Sequence, residues 1–131
     1  MPAGEAGWGW LDGEKVESIS EFDSLLNRYE TNAIKYKYPI VIELISPSGD
    51  SLGIGLGRAE SLLVYVPGSL LPPYYSSVGE VQAEGEIVFY HCGEPTEYPR
   101  RNAIPVGLAR DAVRSFFTEG KLPDFVKWEE V

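Results

Sequence analysis

The sequence predicts an α+β fold, an antiparallel β-meander packed against two main helices, and three patterns carry that expectation. Phe22, Leu25, Leu26 and Tyr29 recur at helical spacing early in the chain. Short β-branched runs broken by turn residues fill the middle, and a second amphipathic helix follows Pro105. The chain has 131 residues, a length that fits one domain over residues 1–131 and at which folding buries roughly two thirds of the surface the unfolded chain exposes.

The elements follow in order. Trp8 and Trp10 stand two apart in Gly7-Trp8-Gly9-Trp10-Leu11, so in an extended segment both indoles face one side, to cover the core or to form a contact patch. Ser20 reads as an N-cap with acids in the first turn, and the helix is expected to run to about Tyr29 or Glu30. Pro39 to Ile45 is a strand, and Pro47-Ser48-Gly49-Asp50 turns it back. In the return strand from Ser51 to Gly57, Leu52, Ile54 and Leu56 alternate with Gly53, Gly55 and Gly57. The first three face the core, and the glycines leave a bare face against which something bulky can lie.

A third strand spans Ser61 to Val66, and Pro67 to Gly79 is expected to be a long loop rich in proline and aromatics. Glu80–Ala83 and Glu86–Cys92 read as strands, and Gly93 to Arg101 as a second loop. The last helix places Leu108, Ala109, Ala112, Val113, Phe116 and Phe117 on one face and ends at Gly120, with a short edge strand over Val126–Glu129.

Charge narrows the function. With 20 acidic against 11 basic residues the formal net charge is −9, the wrong sign for nucleic acid and the right one for a basic partner. No Lys or Arg lies between Arg58 and Arg100, while Glu60, Glu80, Glu84, Glu86, Glu94 and Glu97 do. No apolar run is long enough to span a bilayer, and Met1-Pro2-Ala3-Gly4-Glu5 lacks the features of a secretory signal. A cytoplasmic protein without membrane contact is expected. Cys92 is the sole cysteine, so no internal disulfide can form.

Nothing assembles into an active site. His91 and Cys92 are adjacent in an expected strand and point to opposite faces, which suits buried structural roles better than a nucleophile and its base. One His and one Cys leave a metal centre short of ligands, and the glycine series sits within a strand without a following Lys-Ser/Thr, so neither metal nor nucleotide cofactor is expected. Glu84 with Glu86, or Glu94 with Glu97, could form a carboxylate pair, but surface glutamates are ordinarily solvated. Binding fits better: Tyr74 and Tyr75 sit in a proline-stiffened loop, where aromatic anchors lose little entropy on docking, unless they pin that loop instead. Arg110 and Arg114, a like-charge pair at i,i+4, call for a nearby acid of the same chain, most simply a glutamate.

The last third adds a resemblance. Glu94-Pro95, Tyr98-Pro99, Ile104-Pro105-Val106, the helix Leu108 to Phe117, the turn Thr118 to Pro123, and Val126-Lys127-Trp128-Glu129-Glu130-Val131 resemble the first-numbered immunity-protein family of bacterial polymorphic toxin systems. That family includes the immunity partner of a double-stranded-DNA cytosine deaminase toxin. The resemblance covers residues 94–131 most specifically and implies a non-enzymatic inhibitor of a cognate toxin domain. The toxin would be a basic deaminase, bound one-to-one with its active site occluded. A secretion chaperone or adaptor that binds an effector without inhibiting it is the alternative, and a hydrolase using the acidic loops is a distant third. The interface is expected at Tyr74, Tyr75, Glu94, Glu97 and Tyr98, on loop position, aromatic content and charge. Phe116, Phe117 and Trp128 are expected in the core.

Overall fold

The computed structural model of the chain describes residues 6–131, so residues 1–5, read above for the absence of a secretory signal, lie outside the described residues. A hairpin of β1 (Gly9–Leu11) and β2 (Glu14–Val16) leads into α1 (Ile19–Lys35). The cap is Ser18 rather than Ser20: its backbone is extended and its hydroxyl accepts from Glu21 N–H at 3.1 Å. The Glu21 carboxylate in turn accepts from Glu17 N–H at 2.8 Å, so two exposed donors are satisfied at once. Ser18→Ala is expected to cost about 1 kcal/mol, read as a lower urea midpoint with an unchanged slope.

α1 also runs further than expected, to Lys35. Its last turns bury one small residue, Ala33, against Gly57, where even a Cβ would come within 3.0 Å. The helix ends at Lys35, and beyond the cap residue Tyr36 the chain turns left-handed at Lys37, with φ 53°.

The sheet continues through β3 (Ile40–Ile45), β4 (Ser51–Leu56), β5 (Glu60–Ser61), β6 (Leu63–Val66) and β7 (Tyr75–Val78). Then come β8 (Glu86–His91), β9 (Glu94–Pro99), a 3-10 turn over Arg100–Asn102, β10 (Ile104–Pro105), α2 (Val106–Glu119) and β11 (Lys127–Glu130). The strand order is β11-β7-β6-β4-β3-β1-β2, with each neighbouring pair antiparallel. This is the expected α+β arrangement with two main helices.

Alternation divides the sheet into two faces. Ile42, Leu44, Leu52, Ile54, Leu56 and Leu63 meet Phe22, Leu26, Ala112, Val113, Phe116 and Phe117 in the main core. Trp128 is partly buried against it, and its indole N–H donates to Pro123 O at 2.9 Å. α2 ends at Gly120 with φ 75°, as its sequence requires. The arginines on α2 are answered from α1: Arg110 by Glu30 and Asn27, and Arg114 by Asp23 rather than a glutamate. Among the described residues no helix is long and apolar enough to cross a membrane.

Four expected elements change. The Pro67–Gly79 loop is shortened by β7, whose centre is Ser76-Ser77. Both serines are buried and hydrogen-bonded: Ser77 Oγ accepts from Leu63 N–H and donates to Asn102 O, and Ser76 Oγ donates to Leu63 O. A polar strand of this kind escapes a hydrophobic-pattern reading. Residues 80–83 form a turn closed by Ala83 N–H on Glu80 O, not a strand. The expected loop from Gly93 is the strand β9, and the third strand of the meander breaks at Leu62 so that Glu60–Ser61 can pair with Ile104–Pro105.

Candidate functional site

β8 and β9 form a hairpin that joins the main sheet by one parallel bridge, Ile40 to Tyr90, and folds across the face opposite the helices. The anchor is Phe89, fully buried over Gly55. A Cβ on Gly55 would lie 2.8 Å from the ring, so the bare glycine face exists to receive this phenyl. Val41, Leu62, Ile87 and Ala103 complete a second, smaller core there, with Tyr98 edge-on to Phe89 at 6.4 Å.

The hairpin turns at Cys92-Gly93, both left-handed with φ 52° and 82°, the geometry of a two-residue type I′ turn. Cys92 is therefore exposed at the tip and not buried in a strand, and His91 is only half-buried. In such a turn the flanking residues His91 and Glu94 share both ladder hydrogen bonds, so residues 95, 97 and 99 direct their N–H positions outward. Pro95 and Pro99 remove two of those three donors. Along β8's other edge, Arg58 Nε donates to Val88 O at 2.9 Å and Arg100 Nη2 to Glu86 O at 3.2 Å. Both edges are thereby blunted against strand addition. The hairpin offers its side chains, not its backbone.

Between the hairpin and the sheet lies a groove of about 310 Å³. Gly53 is its floor, and a Cβ there would sit 3.3 Å from Val41 Cγ1. Val64 and Val66 rise on one side, and Thr96 and Tyr98 on the other. At its polar end are Glu43 and His91, whose Oε1 and Nε2 are 3.5 Å apart. That contact is long, half-exposed and ionic only when the imidazole is protonated, so it contributes little to stability. Burial raises the Tyr98 phenol above its usual value, and the nearby Glu43 charge adds to the effect.

The outward face of the hairpin carries Glu86 and Glu97 as diagonal neighbours, since Glu86 opposes Pro99 and Glu97 opposes Val88. A hydrogen bond that the protonated Glu86 donates to Glu97, reinforced by the like charge, raises the Glu86 carboxyl. Glu86 therefore holds its proton more readily than an isolated glutamate does. Of the carboxylate pairs considered from sequence, neither Glu84 with Glu86 nor Glu94 with Glu97 is the one brought together here. The two arginines bounding the acidic stretch are engaged: Arg100 with Glu60 at 2.7 Å, and Arg58 with the Val88 carbonyl while lying 5.6 Å over the Phe89 ring.

The five expected interface residues separate into three groups. Glu94, Glu97 and Tyr98 share β9, with Tyr98 in the groove and Glu97 outside it. Tyr74 donates its hydroxyl to Leu70 O at 2.6 Å and pins the Pro67–Tyr74 loop, leaving Leu70 and Leu71 at its tip 71% and 66% exposed. Tyr75 turns to the helix face, 6.1 Å from Tyr65, which is edge-on to Phe116. Sequence reasoning missed Glu43, Gly53 and His91 as a unit. One signal was present: Glu43 is the single charge in the apolar run Pro39–Ile45. Trp10 lies opposite Ile45 and 5.1 Å from Trp8, edge-on, so the two indoles do share a side. Tyr36 and Tyr38, the latter stacked on Tyr90 at 4.3 Å, are a further exposed aromatic pair that no spacing suggested.

Tyr98, Tyr65 and Tyr29 all have raised phenols, with burial the first cause in each. Tyr29 also donates to Glu14 Oε2 at 2.7 Å. A folded value above the unfolded one means that the stabilisation is complete below about pH 10 and is lost as pH rises toward the folded values. Tyrosinate absorbance should therefore titrate in more than one step. The urea midpoint should fall once the pH exceeds about 10.

No curated protein matches the sequence. A family model does, that of Immunity protein Imm1, over residues 12–130. The matched span takes in both helices, the groove and the whole β8–β9 hairpin. The chain therefore belongs to the Imm1 immunity protein family.

Proposed function

We propose that this protein protects its producer by binding a toxin domain one-to-one in the cytoplasm and covering the toxin's active site, and that the toxin is a basic nucleic-acid deaminase. Neutralising a toxin is the role its family carries. The observation that supports a basic target is the hairpin surface, where Glu86, Glu94 and Glu97 stand in a stretch without Lys or Arg from 59 to 99. An enzyme acting on nucleic acid needs a cationic cleft, and an acidic surface is steered toward such a cleft and competes with substrate there. The resemblance of residues 94–131 to the immunity partner of a cytosine deaminase toxin favours the same chemistry. Glu94, Glu97 and Tyr98 make the contact in this reading, with Tyr74 holding Leu70 and Leu71 forward and Tyr75 supporting β7 from the opposite face. The protein acts by occupancy, without a catalytic residue.

The experiment is to tag the protein, isolate it from its source bacterium, identify what co-purifies by mass spectrometry, and weigh the complex by light scattering. A basic toxin domain in equimolar complex is the expected result. A partner that stays fully active while bound would replace this reading with that of an adaptor.

A further inference from the structure

We infer that the groove beneath the β8–β9 hairpin is a socket for one arginine side chain of the protein partner. The inference rests on the proposed function only for the owner of that arginine. The socket itself is argued from the groove. Its floor, Gly53, has no side chain, and Val41, Val64 and Val66 line it with methyl groups suited to an aliphatic stem. Its polar end presents the Glu43 carboxylate beside the rings of His91 and Tyr98. A planar guanidinium fits that set: it pairs with a carboxylate through two parallel N–H groups and stacks on aromatic rings, which an ammonium does less well.

Charge points the same way. Among the ion pairs of the described residues, Glu43 has just the 3.5 Å contact to His91, while Glu14, Glu30, Glu60 and Glu129 are each held by an arginine of this chain at 2.9 Å or less. Glu43 is thus a cleft carboxylate that pairs with no arginine or lysine among the described residues. At about 310 Å³ the space is at the lower end of small-ligand pockets. One long side chain occupies it well; a folded element does not enter.

The test needs no toxin. The full protein, labelled with nitrogen-15, is titrated by NMR with N-acetyl-arginine methylamide and with N-acetyl-norleucine methylamide, whose apolar stem lacks the cation. Saturable shifts at Gly53, Val64, Thr96 and Tyr98 are expected with the first probe, in the millimolar range appropriate to so small a ligand. Binding at least about fivefold weaker is expected with the second and with Glu43→Gln, which keeps the groove's volume. Equal responses to both probes, an unchanged response in Glu43→Gln, or no saturable shift at the groove would overturn the socket. A second variant, Val66→Trp, fills the groove from its rim and leaves the glycine strand's own sequence unchanged. It should abolish the arginine response and weaken binding of the recovered toxin by at least about tenfold. A Val66→Trp protein that inhibits the toxin with unchanged affinity refutes the socket and leaves the immunity role standing.

Discussion

Phe89→Ala is expected to lower the free energy of unfolding by about 3–5 kcal/mol, the range for truncating a fully buried phenylalanine. The ring has no exposed surface, lies over Gly55, and meets Tyr98 and the Arg58 guanidinium. Its loss is also local. The hairpin has a single backbone bridge to the main sheet, and Phe89 is the largest buried side chain of the small core that holds it there, beside the Arg58–Val88 hydrogen bond and the Tyr38–Tyr90 stack. Amide exchange should show residues 86–99 losing protection before the helices do. The reciprocal change, Gly55→Ala, places a Cβ 2.8 Å from the same ring and should cost about 1–3 kcal/mol by overpacking. A Phe89→Ala protein whose urea midpoint is unmoved would mean that the hairpin is held by something else.

Reversing Glu86, Glu94 and Glu97 to lysine together is expected to slow association with the toxin by roughly 10- to 1,000-fold at low salt, the span attributed to electrostatic steering. All three are exposed, so their attraction acts at a distance and should appear in the association rate more than in dissociation. Added salt should narrow the gap between variant and parent. Stability should change little, because Glu86 and Glu97 are already like charges at diagonal positions and lysines there leave that repulsion in place. Stopped-flow binding at two ionic strengths measures the effect. An unchanged association rate would place the toxin on another face, such as the exposed Tyr36 and Tyr38.

Much of the framework was readable because period and punctuation agreed. The 3.6 pattern from Phe22 and from Leu108, the Gly49 turn and the Gly120 stop all appear where their residue types demand. The alternating glycines even signalled a bulky neighbour, though not that Phe89 would be it. Most of the strands that escaped are of one kind, with a signal that is not hydrophobic. β7 is built around two buried serines satisfied by hydrogen bonds, and β9 reads Glu-Pro-Thr-Glu-Tyr-Pro, with prolines that ordinarily argue against a strand. In an edge strand whose outward N–H groups are better removed, those same prolines are favourable. The groove was invisible for a related reason, since Glu43, Gly53, His91 and Tyr98 come from four strands and only the register brings them together. α1's extension depended on a small residue, Ala33, that a search for large apolar side chains passes over.

The most direct measurement is a titration of the recovered toxin's activity with this protein, at toxin concentrations well above the dissociation constant. Residual activity should fall linearly and reach zero at one equivalent, as inhibition by occupancy of a one-to-one complex requires. Inhibition complete at a small fraction of an equivalent would reveal turnover, and activity that persists at saturating protein would show that binding does not neutralise. Either result would contradict a stoichiometric immunity protein.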